Sequence, residues 1–151
     1  MLRIGRQKIE KLGLTDRITF QVGDSTKPDF EAQSFDAVTV AFGVRNFESL
    51  SKGLSEICRV LTPGGVAVIL ELSQPQNAFL KLGYKLYTKL VIPVLARCVS
   101  KDVRAYNYLP QSIEAFPQGK EMKELLLECG FSQVEVKTFT FGACSFYRAV
   151  K

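Results

Sequence analysis

The spacing of apolar and polar residues predicts a succession of helices and strands along this chain. Residues 1–12 carry apolar side chains at helical spacing among basic ones, and Gly13 follows them as a stop. Residues 18–22 alternate between apolar and polar side chains, which is typical of a strand. Residues 35–42 are apolar almost throughout, as in a strand that is covered on both faces and lies centrally in a sheet. The chain therefore begins with a predicted helix and two predicted strands.

The later part of the chain continues this order. The predicted elements are a helix from 50 to 61 with Ser49 as its N-cap, a turn at 63–65, a strand at 66–72, an amphipathic segment at 78–99, a mixed segment at 100–118, a helix at 120–129, and strands at 134–139 and 143–150. Strands that alternate with helices favour a parallel sheet, and the last two strands add an antiparallel hairpin to it. The pattern thus predicts one α/β domain.

Composition narrows the classes of function. Hydrophobic residues make up 46% and charged residues 23% of the 151 residues, which is typical of one globular domain. Histidine is absent, so imidazole catalysis and histidine-containing metal sites are excluded, and no metal is expected. The net charge of +5 allows an anionic partner, whether a nucleotide, a nucleic acid or a membrane surface, and does not choose among them. A nucleic-acid role is the less favoured, because the basic residues are scattered and form no binding motif.

The cysteines and the apolar runs indicate the compartment. Cys58, Cys98, Cys129 and Cys144 are widely spaced without a CxxC pair, which favours buried, reduced thiols in a cytoplasmic protein. No apolar run reaches the length of a signal-peptide core or of a membrane-spanning helix. We therefore expect a soluble cytoplasmic protein, which can still touch a membrane surface.

Two stretches resemble a known family. One runs Arg59-Val60-Leu61-Thr62-Pro63-Gly64-Gly65 into a strand that ends Glu71-Leu72-Ser73, and the other is Ala41-Phe42-Gly43-Val44-Arg45-Asn46-Phe47. Both are similar to segments of the ubiquinone and menaquinone biosynthesis C-methyltransferases, which use S-adenosylmethionine. Thr62 stands where lysine is usual in that family, and Ala67 stands where a larger aliphatic residue is common. The resemblance implies a Rossmann-like, S-adenosylmethionine-dependent methyltransferase fold that closes with the antiparallel hairpin.

The resemblance also implies that part of this fold is missing. No G-x-G-x-x-G loop occurs, although a nucleotide-binding α/β domain normally has one after its first strand. Residues 1–151 resemble the C-terminal two-thirds of a methyltransferase domain truncated at its N-terminus, with residues 78–118 as a substrate-side insertion. Strand 35–42 then has an open apolar edge, which favours pairing with another chain, as in a homo-oligomer.

Three residues are expected to contact the cofactor. Gly23 and Asp24 follow the predicted strand 18–22, and open α/β sheets bind ligands at the carboxyl ends of their strands. By the resemblance, the Asp24 carboxylate accepts a hydrogen bond from the adenine amino group, the Ser25 amide faces an adenine ring nitrogen, and the Ala41 backbone contacts S-adenosylmethionine. From the residues alone, an ordinary Gly-Asp turn is the competing interpretation.

Arg45 and Asn46 are the expected catalytic residues. By the resemblance, they face a quinol ring that is methylated at a carbon ortho to a hydroxyl group. Because loss of the hydroxyl proton makes that carbon nucleophilic, a guanidinium can stabilise the phenolate or orient a water that takes the proton, and an amide can hydrogen-bond a ring oxygen. Arginine itself stays protonated and is a poor base. The competing interpretation is a surface arginine followed by an asparagine that caps a helix.

Further residues are candidates for the substrate side of the site. Tyr106, Tyr108 and Ser112 fit a Tyr-x-Tyr-Leu-x-x-Ser pattern of the family's insertion, in which tyrosines line the ring pocket or polarise an oxygen. Half-buried packing tyrosines are the alternative. Glu71 and Ser73 lie at a predicted strand end, where a capping or turn role is the default interpretation.

Segment 79–92 is a candidate for contact with a membrane. Lys81, Lys85 and Lys89 recur every four residues beside apolar side chains, as in a helix at an anionic membrane surface. A polyprenyl quinol keeps its tail in the bilayer, so an enzyme that acts on it has to approach the lipid. The solvated face of a packed helix is the alternative.

The functional hypothesis is S-adenosylmethionine-dependent C-methylation of a demethylated quinol ring, either demethylmenaquinol or the ubiquinol precursor, in the cytoplasm or at the inner face of the membrane. This chain alone is expected to be inactive. The alternatives are a methyltransferase for another small molecule or lipid and a non-catalytic interaction module. The missing glycine loop favours the interaction module, whereas Asp24, Arg45 and Asn46 argue against a decayed site.

Overall fold

The computed structural model describes residues 2–75, 77–86 and 103–151, with the backbone alone at 78, 85 and 103–108. The helices are α1 (Leu2–Lys11), α2 (Leu50–Val60), α3 (Ala78–Leu86), α4 (Val103–Ala115) and α5 (Lys120–Glu128). The strands are β1 (Phe35–Ala41), β2 (Leu61–Leu72), β3 (Gln133–Phe139) and β4 (Cys144–Val150). Short 3-10 turns at Val44–Asn46 and Thr140–Gly142 follow β1 and β3. The predicted alternation of helices and strands is therefore confirmed from residue 35 onward in the described part of the chain.

The described strands form one sheet in the order β1-β2-β4-β3. β1 and β2 are parallel and are connected through α2, whereas β4 runs antiparallel to both β2 and β3. The hairpin of β3 and β4 thus docks on β2 through its second strand. This arrangement confirms the predicted α/β fold with a C-terminal antiparallel hairpin.

β2 begins earlier than the sequence pattern predicts. Pairing with β1 already starts at Leu61, and the register then shifts through a bulge over residues 62–65. Gly64 has a φ of +80°, and a Cβ at Gly65 would lie 2.8 Å from a backbone oxygen, so both positions require glycine. The predicted Pro-Gly-Gly turn is therefore part of the strand, because the residues on both sides of it already pair with β1.

The hydrophobic core lies between the sheet and the helices α2 and α5. Leu54 and Ile57 of α2 face it, as do Met122 and Leu126 of α5, in agreement with the helical spacing in the sequence. Each such side chain contributes roughly 1.5–3 kcal/mol by its burial. The core thereby holds the sheet and the loops that follow its strands in one arrangement.

Residues 18–22 do not form a strand, and this prediction is wrong. Val22 is 80% exposed, and no described strand pairs with the segment. An alternating pattern becomes a strand only where a neighbouring strand supplies the partners for its hydrogen bonds. The segment packs instead on α1, where a Cβ at Gly5 would lie 2.6 Å from the ring of Phe20.

β1 lies at the edge of the described sheet and not at its centre. It pairs with β2 alone among the described strands, and the side chains of Ala37, Thr39 and Ala41 are exposed. The central position predicted from its apolar sequence is therefore wrong for the described sheet. The open edge that the family resemblance implied is present.

The described cysteines are free thiols, in agreement with the prediction. Cys58 is buried, whereas Cys129 and Cys144 are half-buried; Cys98 lies outside the described residues. Burial raises the pKa of the Cys58 and Cys144 thiols above the ordinary value, which keeps both protonated and unreactive. Among the described residues, no helix has the length and apolar character needed to span a bilayer.

Candidate active site

The loop that follows β1 is fixed at both of its ends. Phe42 has a φ of +55°, a left-handed conformation that is costly for a residue with a side chain, and its N–H donates to the Leu70 carbonyl at 2.8 Å. Val44, at the start of the 3-10 turn, is fully buried in the core. The turn is therefore held at the carboxyl ends of β1 and β2, which is where open α/β sheets bind ligands.

This turn places Arg45 against Glu71, which lies near the end of β2. Arg45 Nη1 donates to Glu71 Oε1 and, at 3.1 Å, to the carbonyl oxygen of Phe42. Glu71 Oε2 accepts the backbone N–H of Arg45 at 3.2 Å, and Oε1 also accepts the N–H of Leu72 at 2.9 Å. The carboxylate thus connects the turn to β2 through both side-chain and backbone donors.

The ion pair is buried. The side chain of Glu71 is 0% exposed and that of Arg45 is 11% exposed. A buried carboxylate is costly unless it is paired and hydrogen-bonded, and Glu71 satisfies both conditions. Arg45 Nε is enclosed and has no hydrogen-bond partner among the residues that the structure describes. The interpretation of Arg45 as a surface arginine is therefore wrong, because its guanidinium is a fixed, enclosed cation.

A cavity of about 400 Å³ lies beside Arg45. It is lined from the loop and α2 by Val44, Arg45, Phe47 and Leu50, and from α4 and the residues after it by Gln111, Ser112, Ala115, Phe116 and Pro117. α4 therefore brings Ser112 to the same cavity as Arg45. Ser112 donates its hydroxyl to the Leu109 carbonyl at 2.9 Å. Tyr106 and Tyr108 lie earlier in α4, but their side chains fall outside what the structure describes.

Ala41 precedes this loop, and Asn46 lies at its far end. Ala41 is the last residue of β1, pairs with Leu70 in the register and is exposed. Asn46 ends the 3-10 turn, and its backbone N–H donates to the Gly43 carbonyl at 3.0 Å. The N-cap of α2 is Ser49, as predicted. The interpretation of Asn46 as a helix cap is therefore wrong.

Asp24 and Ser25 lie in a turn that no strand precedes. Asp24 Oδ1 accepts the backbone N–H and the hydroxyl of Thr26, each at 2.8 Å, and these bonds, the backbone one first, lower the pKa of the carboxyl group. Ser25 lines an apolar cavity of about 360 Å³ together with Val38 of β1. Phe47 lines both this cavity and the one beside the arginine, so the expected cofactor and substrate sides meet at its ring.

The ion pair of Glu71 is the feature that sequence reasoning missed. The available signal was an acidic residue near the end of one apolar strand and a single arginine in the loop that follows another apolar strand. Ser73, by contrast, keeps the structural role that was its default. Its hydroxyl donates to the Gly142 carbonyl at 2.8 Å and accepts from the Ser145 hydroxyl at 2.8 Å, which connects β2 to the hairpin.

The sheet order, the crossover through α2 and the closing hairpin define an α/β protein of the Rossmann-like class, with its candidate site at the strand ends. A solved S-adenosylmethionine-dependent methyltransferase from Aquifex aeolicus shares this fold. The two are 17% identical with a TM-score of 0.61, over 95% of this chain and 60% of that chain.

The sequence matches the ubiE/COQ5 methyltransferase family over residues 1–151, and the chain belongs to that family. It is 51% identical to the demethylmenaquinone methyltransferase of Bacteroides fragilis over 100% of this chain and 62% of that protein. It is 37% identical to the mitochondrial 2-methoxy-6-polyprenyl-1,4-benzoquinol methylase of Xenopus laevis, over 100% of this chain and 49% of that protein. The chain thus spans less than two-thirds of the length of these relatives.

Proposed function

We propose that residues 1–151 form the ring-binding part of an S-adenosylmethionine-dependent C-methyltransferase that acts on a demethylated quinol, either demethylmenaquinol or the ubiquinol precursor. The observation that carries this proposal is the buried Arg45–Glu71 pair beside a cavity at the carboxyl ends of β1 and β2. The chemistry named for the relatives, methylation of quinones and of a benzoquinol, supports the choice of substrate.

The residues near Asp24 fit one end of S-adenosylmethionine. Asp24 is an exposed carboxylate and therefore an acceptor for an amino group, and Ser25 lies at an apolar cavity suited to a flat adenine ring. Ala41 offers its backbone at the end of β1. When bound, the cofactor supplies a methyl group on a sulfonium sulfur and leaves as S-adenosylhomocysteine.

Arg45 and Asn46 act on the ring oxygen next to the methylated carbon. Loss of the hydroxyl proton to water would make the ring carbon nucleophilic toward the methyl group that bound S-adenosylmethionine would supply. The hydrogen on that carbon would then leave as a proton, which restores the aromatic ring, and the ring oxygen would regain a proton. The Arg45 guanidinium stabilises the phenolate as it forms, because a fixed cation in an enclosed site interacts strongly with developing negative charge. Asn46 hydrogen-bonds a ring oxygen.

The apolar walls of the Arg45 cavity hold the ring. Phe47, Leu50 and Phe116 provide apolar surface, and Ser112 adds a hydroxyl group to the lining. Residues 78–118 form a substrate-side insertion, in which Tyr106 and Tyr108 complete the ring pocket. Residues 1–151 correspond to the C-terminal two-thirds of the methyltransferase domain.

Two surfaces belong to this proposal. Segment 79–92 contacts the inner face of the membrane, which brings the site to a substrate whose polyprenyl tail stays in the bilayer. Its described part, α3, exposes Phe79, Leu82 and Leu86 to solvent, which supports an apolar partner; Lys89 lies outside the described residues. The open edge of β1 pairs with a second copy of the chain in a homo-oligomer. The same edge supports the competing function, a non-catalytic interaction module.

Two measurements test the function. In the first, the 151-residue chain is titrated calorimetrically with S-adenosylhomocysteine; absence of binding is expected if the rest of the cofactor site lies beyond this chain. In the second, residues 1–151 replace the matching segment of the Bacteroides fragilis enzyme, and methyl transfer from S-adenosylmethionine to demethylmenaquinol is assayed.

The chimera is expected to transfer the methyl group. Arg45→Ala is expected to lower its turnover by about 100-fold while affinity for S-adenosylhomocysteine stays within about twofold, because the guanidinium acts on the ring and not on the cofactor. Arg148→Ala is the matched control, since Arg148 forms an exposed ion pair with Glu135 on the hairpin. Equal turnover of Arg45→Ala and the parent chimera removes Arg45 from the mechanism.

A further inference from the structure

Glu71 has no role in the reaction proposed above, although it is fully enclosed and directly contacts the arginine of the site. We propose that Glu71 is a positioning residue that fixes the Arg45 guanidinium at the wall of the ring cavity. This inference rests on the proposed function, in which Arg45 stabilises the phenolate. It adds to Arg45 and Asn46 a residue on which turnover depends but which does not touch the substrate.

The hydrogen bonds of Arg45 define the orientation of its guanidinium. The group is planar and carries five N–H donors. Nη1 is held by two acceptors that belong to different parts of the fold, the Glu71 carboxylate in β2 and the Phe42 carbonyl in the loop. Two such bonds fix the plane of the group. Nε is enclosed as well and has no hydrogen-bond partner among the described residues, so the guanidinium is held from Nη1.

Glu71 also holds the backbone from which Arg45 projects. Its Oε2 accepts the backbone N–H of Arg45 at 3.2 Å, so one carboxylate fixes both ends of the same residue. Loss of the carboxylate releases the side chain and the turn together. A displacement of about 1 Å in a catalytic group can lower a rate by about 100-fold.

A direct role of Glu71 as the base is not compatible with its surroundings. Both of its oxygens accept hydrogen bonds from Arg45, Oε1 also accepts from Leu72, and the side chain is 0% exposed. A carboxylate that is enclosed in this way does not reach a ring hydroxyl in the cavity. It acts through Arg45.

The charge of Glu71 explains why Arg45 stays in the site. A guanidinium that is 11% exposed pays a desolvation cost, which its carboxylate partner offsets. In Glu71→Gln the amide has the same shape but no charge. The guanidinium then reaches a lower free energy by turning toward solvent. The positioning should therefore be lost in Glu71→Gln even if the fold is retained.

The first test follows the guanidinium directly in the 151-residue chain. Hydrogen exchange at Arg45 Nε–H is measured by NMR for the parent chain, for Glu71→Gln and for Glu135→Gln as the matched control, in which an exposed ion pair with Arg148 is altered instead. We expect exchange at Arg45 to accelerate at least about tenfold in Glu71→Gln and to stay unchanged in Glu135→Gln. Unchanged exchange in Glu71→Gln overturns the inference whatever the activity of the protein.

The second test uses the chimera with the Bacteroides fragilis enzyme. We expect Glu71→Gln to lower kcat about 10- to 100-fold, with affinity for S-adenosylhomocysteine preserved, and to cause no further loss in an Arg45→Ala background. If the fold-loss of kcat in the double variant equals the product of the losses in the two single variants, Glu71 acts independently of Arg45 and the inference is overturned. An inactive parent chimera counts against the proposed function alone, because the exchange measurement does not depend on activity.

If Glu71→Gln fails to fold, Glu71→Asp tests the positioning role instead. It keeps the charge but draws the carboxylate back by one methylene group, so the pair is retained with a displaced guanidinium. We expect a kcat between that of the parent chimera and that of Arg45→Ala. We expect the exchange rate at Arg45 Nε–H to lie between the rate in the parent chain and the rate of an arginine side chain that is free in solvent. A parent-like kcat together with faster exchange contradicts the positioning role.

Discussion

Tyr147 is the largest side chain that is fully enclosed in the core, and its hydroxyl group connects β4 to the start of α5. The hydroxyl oxygen accepts the N–H of Gly119 at 2.9 Å. Burial raises the pKa of Tyr147 above its ordinary value of 10.0, although the hydrogen bond from Gly119 acts in the opposite direction. The protonated tyrosine is therefore the form that the folded state accommodates.

Tyr147→Phe should lower the free energy of unfolding by about 1–2 kcal/mol at neutral pH, because the half-buried N–H of Gly119 loses its acceptor. The pKa is higher in the folded than in the unfolded chain, so the contribution of Tyr147 is complete below the unfolded pKa and is lost as the pH rises through the folded pKa. The difference in the free energy of unfolding between the parent and Tyr147→Phe should therefore become smaller in alkaline solution. Urea unfolding over a pH series measures this difference. A difference that stays constant on the alkaline side contradicts the raised pKa.

The site residues differ in how far the sequence could predict them. Arg45 was identified because a local motif carries the family resemblance, and its side chain indeed lies at a cavity. Glu71 was assigned a default capping role, because its ion pair joins residues 26 positions apart and depends on the register of two parallel strands. Patterns along the chain report local geometry well, but they do not report which side chains meet across a sheet.

At the scale of elements, local patterns again succeeded where the element is self-contained. α2 and α5 were predicted with their inward faces because helical hydrogen bonds are local and the apolar spacing alone decides the buried face. Residues 18–22 have an equally regular pattern but form no strand. The early start of β2 at Leu61 was also not predicted, because it depends on a partner strand: pairing with Phe35 extends β2 across the Pro-Gly-Gly segment.

The two edge strands of the described sheet differ in their protection against pairing. β3 carries the charged side chains Glu135 and Lys137, which discourage pairing with another strand. β1 has one charged residue, Asp36, at its start, and is apolar or small beyond it apart from Thr39. Self-association through a sheet edge should therefore occur at β1.

Thr39→Lys should shift the chain toward the monomer, because a charged side chain on the open edge opposes strand pairing. Thr138→Lys on β3 is the matched control, since Thr138 is also an exposed threonine on an edge strand. Sedimentation velocity over a range of concentrations measures the effect. A monomeric parent chain, or an equal shift in both variants, contradicts association through β1.

At the scale of the whole molecule, the chain combines a net charge of +5 with an apolar helix face that the described residues leave uncovered. Phe79, Leu82 and Leu86 lie at positions that share one face of α3, and they are 88%, 68% and 61% exposed. A positive charge and an exposed apolar face together favour an anionic lipid surface over a protein partner of the same charge. The helix follows β2, and therefore lies in the part of the chain that leads from the strand end to α4.

Co-sedimentation with lipid vesicles should separate the contribution of the positive charge to membrane binding from that of the apolar face of α3. Binding is expected to vesicles that contain an anionic phospholipid and to weaken with added salt, because part of the attraction is electrostatic. Leu82→Ser should weaken binding by about tenfold, since a buried leucine contributes roughly 1.5–3 kcal/mol and 1.4 kcal/mol corresponds to a factor of about ten. Leu127→Ser is the matched control, because Leu127 is a 41% exposed leucine of a different helix, α5. Equal losses in the two variants mean that the apolar contact is not made by α3. Binding that persists at high salt and is insensitive to Leu82→Ser places the lipid contact outside this helix.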